Sequence, residues 1–369
     1  MSTIAIPDFA LLLLLGGSAA AREALLTTHF SPAEIFDGED PALEDRLADR
    51  GLAVVRGDYP AAGDRQPVLH LAKRHRAPRA ALLLPPIDPR ARAAFRKEGI
   101  ETIDVADGPV SIERVPLPCD RRTEQGPFDL VGDIHGCSEE LATLLRRLGY
   151  EPTPTWSHPD GRRVVFLGDF VDRGPDSPET LRLVLDMLDA GTALAVPGNH
   201  DVKAVRRLAG RGEGPPSHGL AETLEQLARL PDLDRERLVA RFSTFVETAP
   251  RHLWLDDGAL VAAHAGLREA MIGRTGNAVD AFALYGDTTG EIDAFGLPER
   301  RDWAVDYRGS ALVVHGHTPM RLPRRFGRVL CIDTGCVFGG ALTAVRWPED
   351  EIVSVPALRA YSAPPRPMA

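Results

Sequence analysis

Lysine is nearly missing from this sequence: of its 43 basic residues only Lys73, Lys97 and Lys203 are lysines. The rest are arginines, a bias of genome composition to which no function is assigned. Positive charge is also in deficit. The chain carries 53 acidic residues and a net charge of -10, so a broad basic face for gripping duplex nucleic acid is not expected, although a small positive site is compatible with that balance. Cysteine is scarce: Cys119, Cys137, Cys331 and Cys336 form no C-x-x-C pair and are too few for a disulfide framework. A reduced, cytoplasmic protein fits best. Long apolar runs are missing too, because Phe9 to Leu15 is too short to span a bilayer and has no basic residues ahead of it. It reads as a buried strand, and no membrane partner is expected. What is present is ordinary globular material, 369 residues with 44% hydrophobic and 26% charged. That excludes a disordered or collagen-like chain and leaves room for two domains with real cores.

Composition shifts once, near residues 115 to 128, where prolines, a glycine and charges follow one another without periodicity. The boundary is placed there, giving domains over 1–120 and 121–369. Before it, a strand from Phe9 to Leu15, a glycine turn, a helix from Ala19 to Thr27 and short apolar runs at Ala53–Val55 and Ala80–Leu84 alternate as in a small α/β unit. No long internal repeat is found; the proline-rich tail from Pro356 is mildly low in complexity.

After the boundary, five apolar runs end in polar residues. They are Phe128 to Asp133, Val164 to Asp169, Ala193 to Asn199, Leu260 to His264 and Leu312 to His317. Helical patterns fill the gaps at Glu139–Leu148, Ser177–Leu188, Asp201–Leu208, Leu220–Leu230 and Arg235–Glu247. Ligating residues at the carboxyl ends of buried strands place one chemical site on one edge of a sheet covered by helices.

Read as ligands, Asp133, His135, Asp169, Asn199, His264 and His317 offer carboxylate, imidazole and amide oxygen without thiolate. That set suits two divalent ions, manganese first, with nickel, iron or zinc compatible. A carboxylate shared between two ions gives the paired-metal clamp that hydrolyses phosphoesters, and Asp169 is the candidate bridge because it opens the densest polar cluster. Arg173 offers a planar fork for phosphate oxygens. His200, beside Asn199, is placed to protonate a leaving oxygen, with Asp172 or Asp201 as its orienting carboxylate. Taken singly, a histidine beside a glycine is usually a satisfied loop residue and a Gly-Asp is usually a turn. Five such endings in one domain would need five independent coincidences. His315 is read as packing or support, Cys137, Cys331 and Cys336 as core or loop thiols, and His158, His218 and His252 as structural or solvated.

The segments Gly132-Asp-Ile-His-Gly136, Gly168-Asp-Phe-Val-Asp-Arg-Gly174, Gly198-Asn-His-Asp201, His264-Ala-Gly266 and Gly316-His-Thr-Pro319 resemble the phosphoprotein-phosphatase branch of the calcineurin-like metallophosphoesterases. The resemblance implies an α/β fold in which a two-sheet β-sandwich is flanked by helices around a binuclear site. Its ligands fall on Asp133, His135 and Asp169 for one ion and on Asp169, Asn199, His264 and His317 for the other. Its phosphate-binding arginine falls on Arg173, and its proton-donating pair on His200 and Asp172.

A closer likeness lies in Arg114-Val-Pro-Leu-Pro118, Ala283 to Glu291, Phe295-Gly-Leu-Pro298, Tyr307-Arg-Gly309 and Cys331 to Gly340, continuing to Val353-Ser-Val-Pro356. These are similar to the phosphatase module of the bacterial polynucleotide kinase-phosphatases, which heal RNA ends. That likeness implies hydrolysis of 2′-, 3′- or 2′,3′-cyclic phosphate at RNA 3′ ends and adds Asp333 to the site. It leaves room for an RNA ligase or methyltransferase as partner, and a homodimer is one role open to the first domain. There the family has a kinase module with a P-loop; here Leu14 to Glu23 replaces two loop glycines by alanines, the lysine by Arg22 and the hydroxyl residue by Glu23. The first domain is therefore expected to be a degenerate, inactive P-loop kinase-like domain. Two other enzyme readings stay open, a protein serine/threonine phosphatase and a dinucleoside polyphosphate hydrolase. A non-catalytic RNA-end-binding or partner-docking module is a third, opposed by the intact Arg173, His200 and six ligands.

Overall fold

A computed structural model describes residues 2–368 apart from 88, 107, 212–213 and 216–218. The chain divides into two compact units, one of residues 1–117 with 273–279 and one of residues 118–272 with 280–369.

In the first unit, the run LLLLLG becomes the strand Leu11–Gly16, at the centre of a five-stranded, wholly parallel sheet. The sheet runs Ile35–Asp37, Ala53–Arg56, Leu11–Gly16, Arg79–Leu84, Glu101–Asp104. A strand buried on both faces needs no alternation, which is why this run is continuously apolar. Gly16 and Gly17 take positive φ at its end, and Ser18 caps the helix Ala19–His29 by accepting from Ala21 N at 3.1 Å. Sequence periodicity did not reveal the parallel pair Ser2–Pro7 with Val110–Val115. Residues 273–279 group with this unit because Arg274 donates to Leu47 O (3.1 Å) and Ala48 O (2.6 Å), carbonyls at a helix C-terminus.

The second unit is built on two sheets. One runs Ala193–Ala195, Arg163–Phe166, Phe128–Val131, Ala341–Trp347, Glu351–Pro356, its first three strands parallel. The other runs Arg324–Phe326, Val329–Cys331, Leu312–His315, Leu260–Ala263, His252–Leu255, Asp120–Arg121. Between them lies a core including Phe128, Leu130, Val165, Leu253, Leu260, Ala262, Leu312 and Val314, all buried. The outer face of the first sheet carries the alternate residues, such as Val131, Val164 and Phe166, packed with the helices Ser138–Leu148 and Ser177–Asp189. Period-two alternation thus assigns one face of each strand to the sandwich and the other to the helices. The β-sandwich flanked by helices that the sequence implied is present.

Each of the five polar strand endings leaves the sandwich at a strand's carboxyl end, and beyond three of them helices begin, at Ser138, Ser177 and Asn199. The helix expected from Asp201 starts two residues earlier, at Asn199, because the Asp201 carboxylate reaches back to Gly198 N at 2.8 Å and completes the cap. The C-terminal tail is pinned rather than loose: Leu358 N and Tyr361 Oη both donate to Glu140. All four cysteines are buried and none is in a disulfide. Among the described residues no helix is long and apolar enough to cross a membrane.

Candidate metal centre

The loops that follow the strands impose unusual backbone on the residues they carry. Of ten non-glycine residues with positive φ among those described, five are His135, Asp169, Asp172, Arg173 and His317. Such strain persists only where the surroundings over-determine it, and it gathers at functional sites. Gly316 shows how tight the packing is, since a Cβ there would lie 1.8 Å from Asp133 Oδ1.

The imidazoles are fixed by their outer nitrogens. His135 Nδ1 donates to Val171 O at 2.8 Å and His264 Nδ1 to Leu167 O at 2.9 Å, so each turns the lone pair of Nε2 inward. Asp169 Oδ2 lies 3.5 Å from both of those Nε2 atoms, midway between the two histidines. His264 Nε2 also faces Asn199 Oδ1 and His317 Nδ1, each at 2.9 Å. His317 Nε2 is buried without a partner. An acceptor facing a carbonyl oxygen in a buried site needs a cation between them. Two triplets have ligand atoms within 4.8 Å of one another, His135 with Asp169 and His200, and Asp169 with His264 and His317. The donor set therefore fits two divalent ions sharing Asp169.

Charge argues the same way. Burial first, and then the Asp333 and Asp169 charges, drive the Asp133 carboxyl well above the usual carboxylate range. Burial raises Asp169 too, followed by Asp201, and pushes Asp333 up to about 6. Burial holds His264 down to about 3 and keeps His135 and His317 well below the ordinary histidine value, so all three are neutral near pH 7. A cluster of buried carboxylates among neutral imidazoles calls for positive charge.

Asp133 departs from the expected grouping. It belongs to neither triplet; its carboxylate accepts from His317 N at 3.1 and 3.0 Å. The left-handed backbone of His317, φ +70°, turns that N–H toward it. Asp333 is buried and accepts from Gly335 N at 3.0 Å. Arg173 Nη1 donates to His135 Nε2 at 2.8 Å, placing the guanidinium against the candidate ligands, above the Phe338 ring.

Of the two orienting carboxylates left open, Asp172 pairs with His200, whose Nδ1 donates to Oδ2 at 2.6 Å. Asp201 instead accepts from Asp169 N, Phe170 N and Gly198 N at 2.8, 2.9 and 2.8 Å, tying two loops together. Sequence reasoning missed Thr223. Its hydroxyl donates to Asp172 Oδ1 at 2.9 Å and accepts from Asp172 N at 2.9 Å, yet it lies on a separate helix with no motif around it.

The remaining sequence readings divide. His315 packs against Trp303, ring centroids 5.6 Å apart, and Cys331 Sγ contacts Thr318 O at 3.5 Å. Cys137, Glu140 and Cys336 form a third close buried group. His158 packs on Tyr150, His252 is buried in a strand, and His218 lies outside the described residues.

The profile of one family, described as calcineurin-like phosphoesterase, matches residues 126–321. Among curated relatives, a bis(5′-nucleosyl)-tetraphosphatase of a Geobacillus species, qualified as asymmetrical, is 47% identical over 239 residues, covering 63% of this chain and 96% of its own. Its namesake in Halalkalibacterium halodurans is 48% identical over 231 residues, covering 62% and 94%. The one in Bacillus subtilis is 45% identical over 237 residues, covering 63% and 96%. These relatives carry the name of the polyphosphate hydrolase alternative, not of the polynucleotide kinase-phosphatases to which the motifs were likened.

Proposed function

Because the chain belongs to the calcineurin-like phosphoesterases and is a metal-dependent phosphoesterase, we propose that it hydrolyses dinucleoside polyphosphates asymmetrically, releasing a nucleoside monophosphate. The observation that carries this reading is identity of 45–48% to enzymes of that name along nearly their whole length. All six candidate metal ligands, with Asp172, Arg173 and His200, lie within the residues 126–321 that the family profile matches.

Asp133, His135, Asp169, Asn199, His264 and His317 would hold two divalent ions, manganese by the chemistry of the donors. Such ions, when bound, supply Lewis-acid activation of water and of phosphoryl oxygens. The protein's own groups do the rest. Water's oxygen bonds to phosphorus as the bridging P–O bond breaks. The Arg173 fork neutralises charge spreading over the equatorial oxygens. His200 Nε2 offers the proton that the departing oxygen takes up, with Nδ1 held on Asp172 so that the tautomer and ring angle are fixed. Asp333 would act on the same reacting centre from beside Asp133.

RNA end healing remains a second reading for one reason. The family profile begins only at residue 126, and the parallel sheet of the first unit ends in a glycine turn where a kinase-like domain would hold phosphate. Arg22 Nη1 donates to Gly16 O (2.8 Å) and Gly17 O (3.1 Å) of that turn, and its guanidinium lies 3.4 Å from Asp58. We read this unit as a degenerate P-loop domain that does not use ATP; kinase-like ATP affinity in the full chain would overturn that. Turnover of diadenosine tetraphosphate, RNA 3′-phosphate and a phosphopeptide side by side separates the substrate readings.

A further inference from the structure

Beside the candidate metal centre, with His317 in the shared wall, lies a cavity of about 170 Å³. At roughly 30 Å³ per water it has room for a phosphate or two. Four guanidiniums line it, those of Arg300, Arg301, Arg324 and Arg366, against two carboxylates, Asp287 and Asp302. For a chain of net charge -10 this is a local reversal of sign.

Arg301 and Arg324 are exposed, but three of the four arginines are held by specific contacts. Arg300 donates through Nε to Tyr285 O at 2.9 Å, which anchors the guanidinium by one nitrogen. Arg366 Nη1 lies 3.5 Å from Asp293 Oδ2, and Arg324 pairs with Asp302. Burial, and then the neighbouring Arg366 charge, hold Arg300 below the usual arginine range, an effect the Asp293 carboxylate only partly offsets. Like charges partly desolvated next to each other are costly unless an anion joins them. Arginine forks are suited to phosphate oxygens, which they meet two at a time.

We infer that this cavity receives the phosphates of the substrate adjoining the one under attack, so that a polyphosphate chain runs from the metal centre past His317 onto Arg300 and Arg366. The inference rests on the polyphosphate reading above and extends it by naming where the rest of the chain binds. It also gives a physical basis for choosing a polyphosphate over a lone phosphomonoester, because a monoester brings no second phosphate to the Arg300 guanidinium.

The test uses the full chain with manganese and p-nitrophenyl phosphate as a reporter, inhibited in turn by ADP and by inorganic phosphate. ADP has a second phosphate to place in the cavity; inorganic phosphate does not. In the parent protein ADP is expected to inhibit more tightly than phosphate. In Arg300→Gln the ADP constant should rise about tenfold more than the phosphate constant, the loss of one charge-assisted contact, with Arg300→Lys in between. Equal inhibition by both ligands in the parent, or equal shifts in the variant, would overturn the inference. If Arg300→Gln does not turn over the reporter, Arg366→Gln carries the same comparison. Loss of the ADP preference in a protein that leaves diadenosine tetraphosphate intact would keep the cavity and discard the proposed substrate.

Discussion

His264 Nε2 faces His317 Nδ1 across 2.9 Å in a site from which water is largely excluded, and the lone pair of His264 has no proton to meet it from Asn199 Oδ1. The first prediction follows from that pair. His317→Ala should lose at least about a hundredfold in manganese affinity at one of two sites, since even partners outside the ligand shell cost tenfold to a hundredfold. Metal analysis of the purified chain after dialysis reads this directly: two ions per chain in the parent and one in the variant. Two in both would remove His317 from the ligand set.

The His200–Asp172 pair predicts a dependence on the leaving group. An alkoxide needs a proton as it departs, whereas a nucleotide phosphate leaves as a stable anion. His200→Ala should therefore cost about 10²- to 10⁴-fold in kcat on an alkyl phosphomonoester and about tenfold on a dinucleoside polyphosphate. Asp172→Asn should follow the same order with a smaller loss. Steady-state kinetics on the two substrates check it, and equal losses on both would take His200 out of the proton-donor role.

Asp129 is a buried carboxylate in the middle of a strand, where it accepts from Arg162 Nη2 at 2.9 Å, Arg346 Nε at 3.2 Å and Tyr150 Oη at 3.0 Å. Removing it leaves the buried Arg162 guanidinium with the half-exposed Glu349 as its carboxylate partner and the carbonyls of Phe128 and Trp347. Asp129→Ala should destabilise the chain by about 3–5 kcal/mol in urea denaturation, far more than a surface aspartate.

His252 carries a pH dependence whose sign is fixed by burial, which lowers it from the ordinary 6.5 to about 4. Between those values the unfolded chain binds a proton that the folded chain refuses. Its contribution is therefore fully present above pH 6.5 and is lost as pH falls toward 4, by about 3 kcal/mol in all. Going from pH 7 to pH 4.5, His252→Leu should gain about 2–3 kcal/mol relative to the parent in denaturant titrations. A pH-independent difference would contradict this.

Much of this site is legible in the sequence because its residues sit where buried strands stop, and period-two alternation marks those strands. Asp169, His264 and His317 read correctly as neighbours for that reason alone. Other features leave no such trace. Spacing alone does not choose between Asp172 and Asp201 as partner of His200; the family resemblance implies Asp172, and loop geometry bears on why, since Asp172 has a φ of +76° and Asp201 is committed to three backbone N–H groups. Thr223 and the Asp129–Arg162–Arg346 cluster join residues far apart in sequence, so no local pattern announces them. The arginines of the cavity were masked by the overall arginine bias, which makes any single arginine uninformative. Substrate choice was also misjudged in emphasis: the motifs specify metals and phosphate, while what surrounds the phosphate is written in loops such as 286–304.

The most direct test of the account is the product of manganese-dependent hydrolysis of diadenosine tetraphosphate by the full chain, beside RNA ending in 3′-phosphate, with Asp169→Ala as control. The account predicts ATP and AMP from the tetraphosphate, faster than phosphate from RNA, and neither from the variant. Release from RNA with the tetraphosphate left intact would contradict it.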